Sequence, residues 1–360
     1  MPRAMTVSGP VDGEQLGFTL PHEHIMFDST CFFDAEDPTF SRKETLPAWK
    51  REVMERGVTI ETVGELNRDP MLARDNLFLD DEDVAARELQ MFRDEGGGTV
   101  VDVSPAEMGR RPESFRRLAE RTGLNIVAGT GHYLAFTHPP EVASQTVEEI
   151  AGWMIGELNT GIDGSDVRAG IIGELGVSEG GMHPDEEKVL RAGALAAVET
   201  GAPITIHNAI PTEKKGLDVV KILEREGADI TRVIMGHMTH TVPEPAYHRS
   251  IAETGALIEY DRFGAELYND VWGGKNFCEP RDAEVAKEIA QLVREGYADR
   301  ILISHDVGFK VQLSSYGGLG FAHIARRVLT YLRNLDVPDE AIHQITVANP
   351  ARVLANEKLG

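Results

Sequence analysis

The sequence predicts a (β/α)8 barrel. Eight short, largely apolar segments have the character of strands, and most are separated from the next by a stretch with helical periodicity. Residue types that bind metals stand at the ends of several of these segments, and a parallel barrel brings the carboxyl ends of its strands to one rim. A doubly wound open sheet is the competing fold, but the glycine-rich phosphate turn that usually follows its first strand is absent.

The eight strands are predicted near residues 18–24, 99–104, 125–129, 170–175, 203–207, 232–237, 256–261 and 300–304. A helix is expected from about Asp81 to Glu95. Pro184 and Asp185 indicate the start of another helix, and Gly201 indicates its end just before the next strand.

Two segments depart from this alternation. Residues 7–19 have the glycine and proline pattern of a short hairpin at the bottom of the barrel, and we assign residues 1–17 to this N-terminal hairpin. Residues 28–80 are polar and irregular, and they predict an insertion after the first strand that could overhang the rim. With 360 residues and 41% apolar content the chain can bury one large core, so we expect a single domain over residues 1–360.

The composition argues against several functional classes. The net charge of -23 is spread along the chain, which disfavours nucleic acid as a partner and indicates a solvated or salt-adapted surface. No apolar run approaches the roughly 20 residues that cross a bilayer, and the N-terminus lacks the apolar block of a signal peptide, so we expect a cytoplasmic protein without a membrane partner. Cys31 and Cys278 are too few for a disulfide framework or a CxxC site.

A His-x-His pair ends the first predicted strand. Residues i and i+2 of a strand point the same way, so His22 and His24 share one face while Glu23 faces the other. The two imidazoles can therefore converge on a single cation. Two histidines that merely end the strand with satisfied hydrogen bonds are the alternative.

Three further strand ends carry ligand residue types. His207 ends the run PITIH and His237 ends VIMGH. Asp306 follows ILISH, where it can bind a hard cation and accept a proton from water, or cap a helix instead. The neighbouring His305 is expected to face away from the site. Together with the His-x-His pair, these residues predict a site for two divalent cations.

These motifs resemble the phosphotriesterase-like branch of the amidohydrolase superfamily over nearly the whole chain. The motifs that carry the resemblance include TLPHEHIMFD, AGIIGELG, GAPITIHN, VIMGHM, YDRFG and LISHD. The resemblance implies a more buried cation on His22, His24 and Asp306, and a more exposed cation on His207 and His237. It also implies a homodimer.

The chain departs from this family at the residue that bridges the two cations. Many members use a carboxylated lysine on the fourth strand, but Gly173 stands at that position. We predict that the adjacent Glu174 bridges the cations, because a glutamate carboxylate can join two metals as a carbamate does. Glu179 or a site with a single metal are the alternatives, and Lys188 lies within a predicted helix.

The predicted function is a binuclear metal-dependent hydrolase. A hydroxide shared by two cations would attack a carbonyl carbon or a phosphorus, and Asp306 would accept the proton. Zinc suits the histidine-rich set, and manganese, cobalt or ferrous iron would also fit.

The resemblance also bears on the substrate. Arg262 and Tyr133 match positions that lie beside the substrate or the hydroxide in lactonase-like relatives, which favours a lactone or another carboxylic ester as substrate. A salt bridge of Arg262 with a carboxylate such as Asp261, and wall packing by Tyr133, are the alternatives. Relatives also tend to carry an acidic residue three positions after His237, where this chain has His240. A phosphotriesterase or phosphodiesterase, and a metal-containing protein that binds a small molecule without turnover, are the competing functions.

Overall fold

Eight parallel strands follow one another around a barrel in chain order. The strands are β1 Phe18–Glu23, β2 Gly97–Asp102, β3 Asn125–Thr130, β4 Ile171–Gly176, β5 Ile204–His207, β6 Val233–Met235, β7 Leu257–Tyr260 and β8 Ile301–Ile303. This computed structural model describes residues 2–34, 46–208, 214–272 and 275–359. The ends of β1 and β8 meet, because the Asp306 amide donates to the His22 carbonyl at 3.1 Å and the His22 amide donates to Ser304 Oγ at 3.1 Å. The predicted (β/α)8 barrel is therefore confirmed.

Helices lie between the strands and carry the ends that the sequence indicates. The helix Pro184–Thr200 has its proline in the first turn, and it ends at Gly201, which adopts φ 74° in the left-handed region that favours glycine. The described residues include no helix with both the length and the apolar character needed to cross a membrane. The α-helices are Thr30–Asp34, Ala48–Arg56, Val63–Leu66, Glu82–Asp94, Pro112–Thr122, Val147–Asn159, Pro184–Thr200, Gly216–Arg225, Pro245–Ala252, Asp282–Arg294, Leu329–Asn334, Asp339–His343 and Asn349–Leu354.

The strands bury both of their faces, as expected of a barrel. Alternate residues fall into two separate apolar clusters: Ile172 of β4 belongs to the large cluster that contains the helix side chains, whereas Ile171 belongs to the barrel interior. The interior cluster consists of Ala4, Leu16, Val101, Val103, Val127, Ile171, Ile234, Leu257, Leu302, Val353 and Leu354. A packed interior of this kind holds the strand ends in fixed positions.

An antiparallel hairpin closes the bottom of the barrel. Its strands Arg3–Thr6 and Gly9–Asp12 pair from Arg3 with Asp12 to Thr6 with Gly9, so it begins earlier than the predicted residues 7–19. The turn precedes Gly9, which has φ 109°, and the later glycine, Gly13, instead begins a short 3-10 turn. Ala4 of the hairpin shares the interior cluster with Val353 and Leu354 of the last helix.

The segment predicted as an insertion, residues 28–80, lies over the rim in its described part, and residues 35–45 of it fall outside the described residues. The strand Phe27–Asp28 pairs with Phe78–Leu79 where the segment starts and ends. Between them, Leu66, Leu72 and Leu77 pack with Leu267 and Phe309, which follow β7 and β8. The insertion therefore covers the loops at the carboxyl ends of the last two strands.

Removing side-chain volume from the barrel interior should destabilise the fold. Ile171→Ala is expected to lower the free energy of unfolding by about 2–5 kcal/mol, because the side chain is fully buried in a packed cluster. The matched control Ile60→Ala removes the same atoms from a residue that is 87% exposed, and should change stability by less than about 0.5 kcal/mol. Urea denaturation of both variants measures the difference. Equal losses would contradict this packing.

Candidate metal centre

The first two histidines are oriented by the alternation of β1. His22 and His24 point to the same side, and a second group holds the outer nitrogen of each ring: His22 Nδ1 lies 2.9 Å from Glu259 Oε2, and His24 Nδ1 lies 2.9 Å from Ser104 Oγ. Their Nε2 atoms are thereby turned toward Glu174, at 3.4 Å and 3.5 Å from its carboxylate oxygens. Outer partners of this kind fix the ring orientation of metal-binding histidines.

Glu174 lies at the centre of the cluster. Its Oε2 atom is 3.2 Å from His207 Nδ1 and 3.3 Å from His237 Nε2, in addition to its approach to the two histidines of β1. The side chain is almost fully buried. A single carboxylate therefore reaches one nitrogen of every predicted histidine ligand.

Asp306 completes the cluster from the end of β8. Its Oδ1 atom lies 3.1 Å from His24 Nε2 and 3.9 Å from His22 Nε2. The residue adopts φ 49°, and its amide donates to the His22 carbonyl, so backbone contact with β1 fixes its place. The six residues that the sequence predicts as ligands fall into three overlapping groups that could hold a metal ion: His22, His24 and Glu174; His22, His237 and Asp306; and Glu174, His207 and His237.

The backbone at Gly173 is incompatible with the lysine found in relatives. A Cβ atom placed on Gly173 would lie 2.3 Å from the Thr205 carbonyl oxygen, and the residue has φ 120°. Lys188 does not replace that lysine, because its Nζ donates to the carbonyls of Val142 and Ala143 at 2.8 Å and 3.2 Å, outside the cluster. Glu179, the alternative bridge, belongs to none of the metal-binding groups found among the described residues. Glu174 is the acidic residue of this segment that faces the histidines.

Glu259 of β7 and Asp261, which follows the strand, contact the outer ring nitrogens of the histidines. The sequence analysis did not assign them this role. Asp261 Oδ2 accepts a hydrogen bond from the His237 amide at 2.6 Å and lies 3.1 Å from His237 Nδ1 and 3.4 Å from His22 Nδ1. Glu259 contacts His22, as described above. Residues 259 and 261 are two apart in an otherwise apolar strand segment, and this alternation of acidic residues was the signal that could have revealed them.

Glu23 is not part of the cluster, in keeping with its predicted opposite orientation. Its carboxylate accepts hydrogen bonds from Ser304 Oγ at 2.9 Å, from the amides of His305 and Val307 at 3.0 Å and 3.1 Å, and from His305 Nδ1 at 2.6 Å. Asp306 lies between His305 and Val307 in the chain, and the amides of both neighbours donate to the Glu23 carboxylate. Glu23 therefore fixes the segment that presents Asp306, and His305 faces away from the site as predicted.

The cluster attracts positive charge. Burial raises the pKa of Glu174, but the nearby His207 and His22 rings lower it further, so the net pKa lies well below the ordinary value. Burial lowers the pKa of His237, but the carboxylates, Asp261 first among them, raise it to about 10. His22 Nε2 is buried without a hydrogen-bond partner among the described residues. The inward ring nitrogens of the histidines, together with the carboxylates of Glu174 and Asp306, are a set of ligands suited to divalent cations.

The two remaining predicted residues lie at the edge of the cluster. The Tyr133 hydroxyl is 3.1 Å from His207 Nδ1, and burial, together with Glu174 and Asp306, holds the pKa of this hydroxyl well above its usual range. Arg262 is buried, and its Nη1 donates to Asp306 Oδ2 at 2.7 Å. Arg262 is therefore in a salt bridge, as the alternative interpretation expects, but its partners are Asp306 and Glu279 and not Asp261.

A pocket opens above the cluster. Its lining combines aromatic and apolar side chains with polar and ionisable ones. The lining consists of His24, Phe27, Ser29, Phe32, Met71, Tyr133, Glu174, His207, His237, His240, Arg262, Glu279, Asp306, Gly308 and Phe309.

Residues 2–354 match the sequence profile of the Phosphotriesterase family. The chain belongs to this family. Its members are binuclear metal-dependent, and the histidines, Glu174 and Asp306 form groups that could bind the metals. The profile covers all of the barrel strands and the hairpin.

Relatives and solved structures agree over nearly the whole chain. An N-acetyltaurine hydrolase of Tetraodon nigroviridis is 33% identical over 353 residues, which are 97% of this chain and 96% of that protein. A resiniferatoxin-binding protein from Rhodobacter sphaeroides has a TM-score of 0.91 at 36% identity, covering 98% and 95% of the two chains. A lactonase from Listeria monocytogenes has a TM-score of 0.76 at 26% identity, covering 99% of each chain. The family and these relatives indicate a hydrolase that acts on small molecules.

The contact between Asp261 and the histidines should govern metal affinity. Asp261→Asn is expected to weaken Zn²⁺ binding about tenfold to hundredfold, because it removes the charge that orients the rings of His237 and His22. Competition with a chromogenic chelator measures the affinity. The exposed Asp299→Asn serves as the matched control and should bind Zn²⁺ as the unaltered protein does. Unchanged affinity in Asp261→Asn would contradict this supporting role.

Proposed function

We propose that the chain is a hydrolase with a binuclear metal centre that cleaves a carboxylic acyl bond in a small molecule. The observation that carries the proposal is the position of Glu174, whose carboxylate lies 3.2 to 3.5 Å from one nitrogen of each of four histidines. Glu174 would bridge the two cations. The more buried cation would be held by His22, His24 and Asp306, and the more exposed one by His207 and His237.

The chain's own residues have defined tasks in this reaction. Bound divalent cations would supply Lewis acidity, which polarises a substrate oxygen and makes water more acidic. Asp306 stands at the pocket, where its carboxylate can accept the proton of an attacking water and pass it to the leaving group. Arg262 orients that carboxylate through its 2.7 Å contact with Oδ2. Tyr133 lines the pocket beside His207, where it can contact the substrate.

The proposed substrate is a lactone or another carboxylic ester. Tyr133 and Arg262 support this substrate, because they match positions near the substrate in lactonase-like relatives and both line the pocket. The similarity to the Listeria lactonase over 99% of each chain supports it as well.

A short N-acyl amide is the second candidate. It is favoured by the 33% identity to a protein named N-acetyltaurine hydrolase, which extends over 97% of this chain. Esters and amides both present a planar carbonyl carbon, so one cluster can serve either substrate. They differ in the leaving group, because an amine must gain a proton as the bond to carbon breaks.

Two other functions compete with acyl hydrolysis. Phosphotriester or phosphodiester hydrolysis would use the same cluster, and the family match supports it. Binding of a small molecule without turnover is supported by the similarity to the resiniferatoxin-binding protein. Zinc as the metal, a cytoplasmic location and a homodimer remain predictions from the sequence and the family resemblance.

Metal removal should abolish the proposed activity. Dialysis against a chelator is expected to inactivate the protein, and two equivalents of Zn²⁺ per chain should restore turnover, because Glu174 would bridge two cations in the proposed centre. Elemental analysis of the purified protein gives the stoichiometry. Full turnover by the metal-free protein would contradict the proposal.

Asp306→Asn should retain the fold but lower kcat about 10²- to 10⁴-fold, because the amide cannot accept a proton. The matched control is Asp336→Asn, since Asp336 also adopts a left-handed conformation, with φ 60° against φ 49° for Asp306. This control should leave kcat unchanged. Steady-state kinetics with the best substrate measure both variants, and equal kcat values would exclude Asp306 as the proton acceptor.

A substrate panel separates the competing functions. We expect turnover of γ- and δ-lactones or aryl esters, or of N-acetyltaurine and related amides, to exceed that of an aryl phosphotriester, because proteins named N-acetyltaurine hydrolase and lactonase are similar to this chain over nearly its whole length. Comparison of kcat/KM across the panel measures the preference. A strong preference for the phosphotriester would overturn acyl hydrolysis, and two bound metals without turnover of any compound would favour binding alone.

A further inference from the structure

Glu279 brings a carboxylate to His240, the residue three positions after His237. Relatives tend to carry an acidic residue three positions after His237, and this chain has His240 there. In the structure, Glu279 approaches from a segment 39 residues further along, with Oε2 at 2.9 Å and Oε1 at 3.2 Å from His240 Nε2. The Glu279 side chain is buried and lines the pocket. No sequence motif pointed to it.

Glu279 also contacts Arg262, and Arg262 contacts Asp306 at the candidate metal site. Four side chains are thereby connected in a row. Arg262 Nη2 donates to Glu279 Oε1 at 3.2 Å, and its Nη1 donates to Asp306 Oδ2 at 2.7 Å. The order is therefore Asp306, Arg262, Glu279, His240. A guanidinium stays protonated in proteins, so Arg262 cannot pass a proton along this row as an imidazole could. The effect of the row on the site is electrostatic.

The guanidinium competes with a cation for Asp306. A carboxylate that donates electron density to a divalent metal interacts less strongly with an arginine, and an arginine that is held tightly weakens the metal bond. Arg262 is buried, where charges are poorly screened by water. Glu279 places a second carboxylate on the other nitrogen of the guanidinium, where its negative charge offsets part of the positive charge that Asp306 would otherwise compensate.

We propose that Glu279 is a positioning residue that balances the charge of Arg262 and thereby keeps Asp306 available to bind a divalent cation. The inference rests on the proposed metal site. Its energetic basis is that removing one partner of a buried ion pair leaves an uncompensated charge. Without Glu279, Asp306 would be the carboxylate left in hydrogen-bond contact with Arg262 among the described residues, and it would compensate more of the guanidinium charge at the expense of the cation.

A double-mutant cycle on Zn²⁺ affinity tests this inference. Glu279→Gln is expected to weaken Zn²⁺ binding about tenfold to hundredfold, the range typical of groups that support metal ligands. Glu279→Gln combined with Arg262→Gln removes both charges and should restore most of the affinity. Chelator competition on the purified protein measures each variant, and Glu120→Gln on an exposed helix position is the matched control.

The outcomes separate a charge-balancing role from a structural one. If Glu279 acts only by packing, the double variant will bind Zn²⁺ no better than Glu279→Gln, which would overturn the inference, as would unchanged affinity in Glu279→Gln. Should Glu279→Gln not fold, Arg262→Gln alone decides: it should bind Zn²⁺ more tightly, and equal or weaker binding overturns the inference. Absence of Zn²⁺ binding by the unaltered protein would refute the metal site itself.

Discussion

The structure depends on one buried carboxylate that is surrounded by imidazoles. Glu174 is almost fully removed from water, and an ionised carboxylate in that position is costly unless positive charge lies beside it. The four histidines around it come from β1 and from the ends of β5 and β6, with the inward nitrogen of each ring directed at its oxygens. The barrel is the frame that makes this possible, because its packed interior fixes strand ends that are distant in the chain.

Other buried glutamates hold the loops of the rim in place by accepting hydrogen bonds from backbone amides. Glu88 accepts hydrogen bonds from the amides of Ser314 and Ser315, and Glu186 accepts them from the amides of Ala135 and Ser178. Glu23 does the same for the segment around Asp306. Part of the net charge of -23 therefore lies inside the protein, where carboxylates satisfy backbone amides and preorganise the rim. The acidic composition is accordingly a poor guide to external partners.

The sequence predicts what periodicity and residue type encode, and it fails where contacts join distant segments. Strand alternation placed His22 and His24 on one face, and strand ends placed His207, His237 and Asp306 at one rim, as the structure has them. The N-terminal hairpin lies within the predicted residues 1–17, but the pattern in residues 7–19 missed its first strand, because a glycine does not show which two strands its turn joins. The role of Glu279 depends on tertiary contacts that no local pattern carries, whereas the alternation of Glu259 and Asp261 was a local signal for the role of Asp261.

The most direct test of the central claim is the position of metal ions in crystals of the Zn²⁺-loaded protein, located by anomalous diffraction at the zinc edge. The account predicts two sites in each chain, with one oxygen of the Glu174 carboxylate bonded to each ion and no modified lysine nearby. A single site, or two sites that Glu174 does not join, would contradict it.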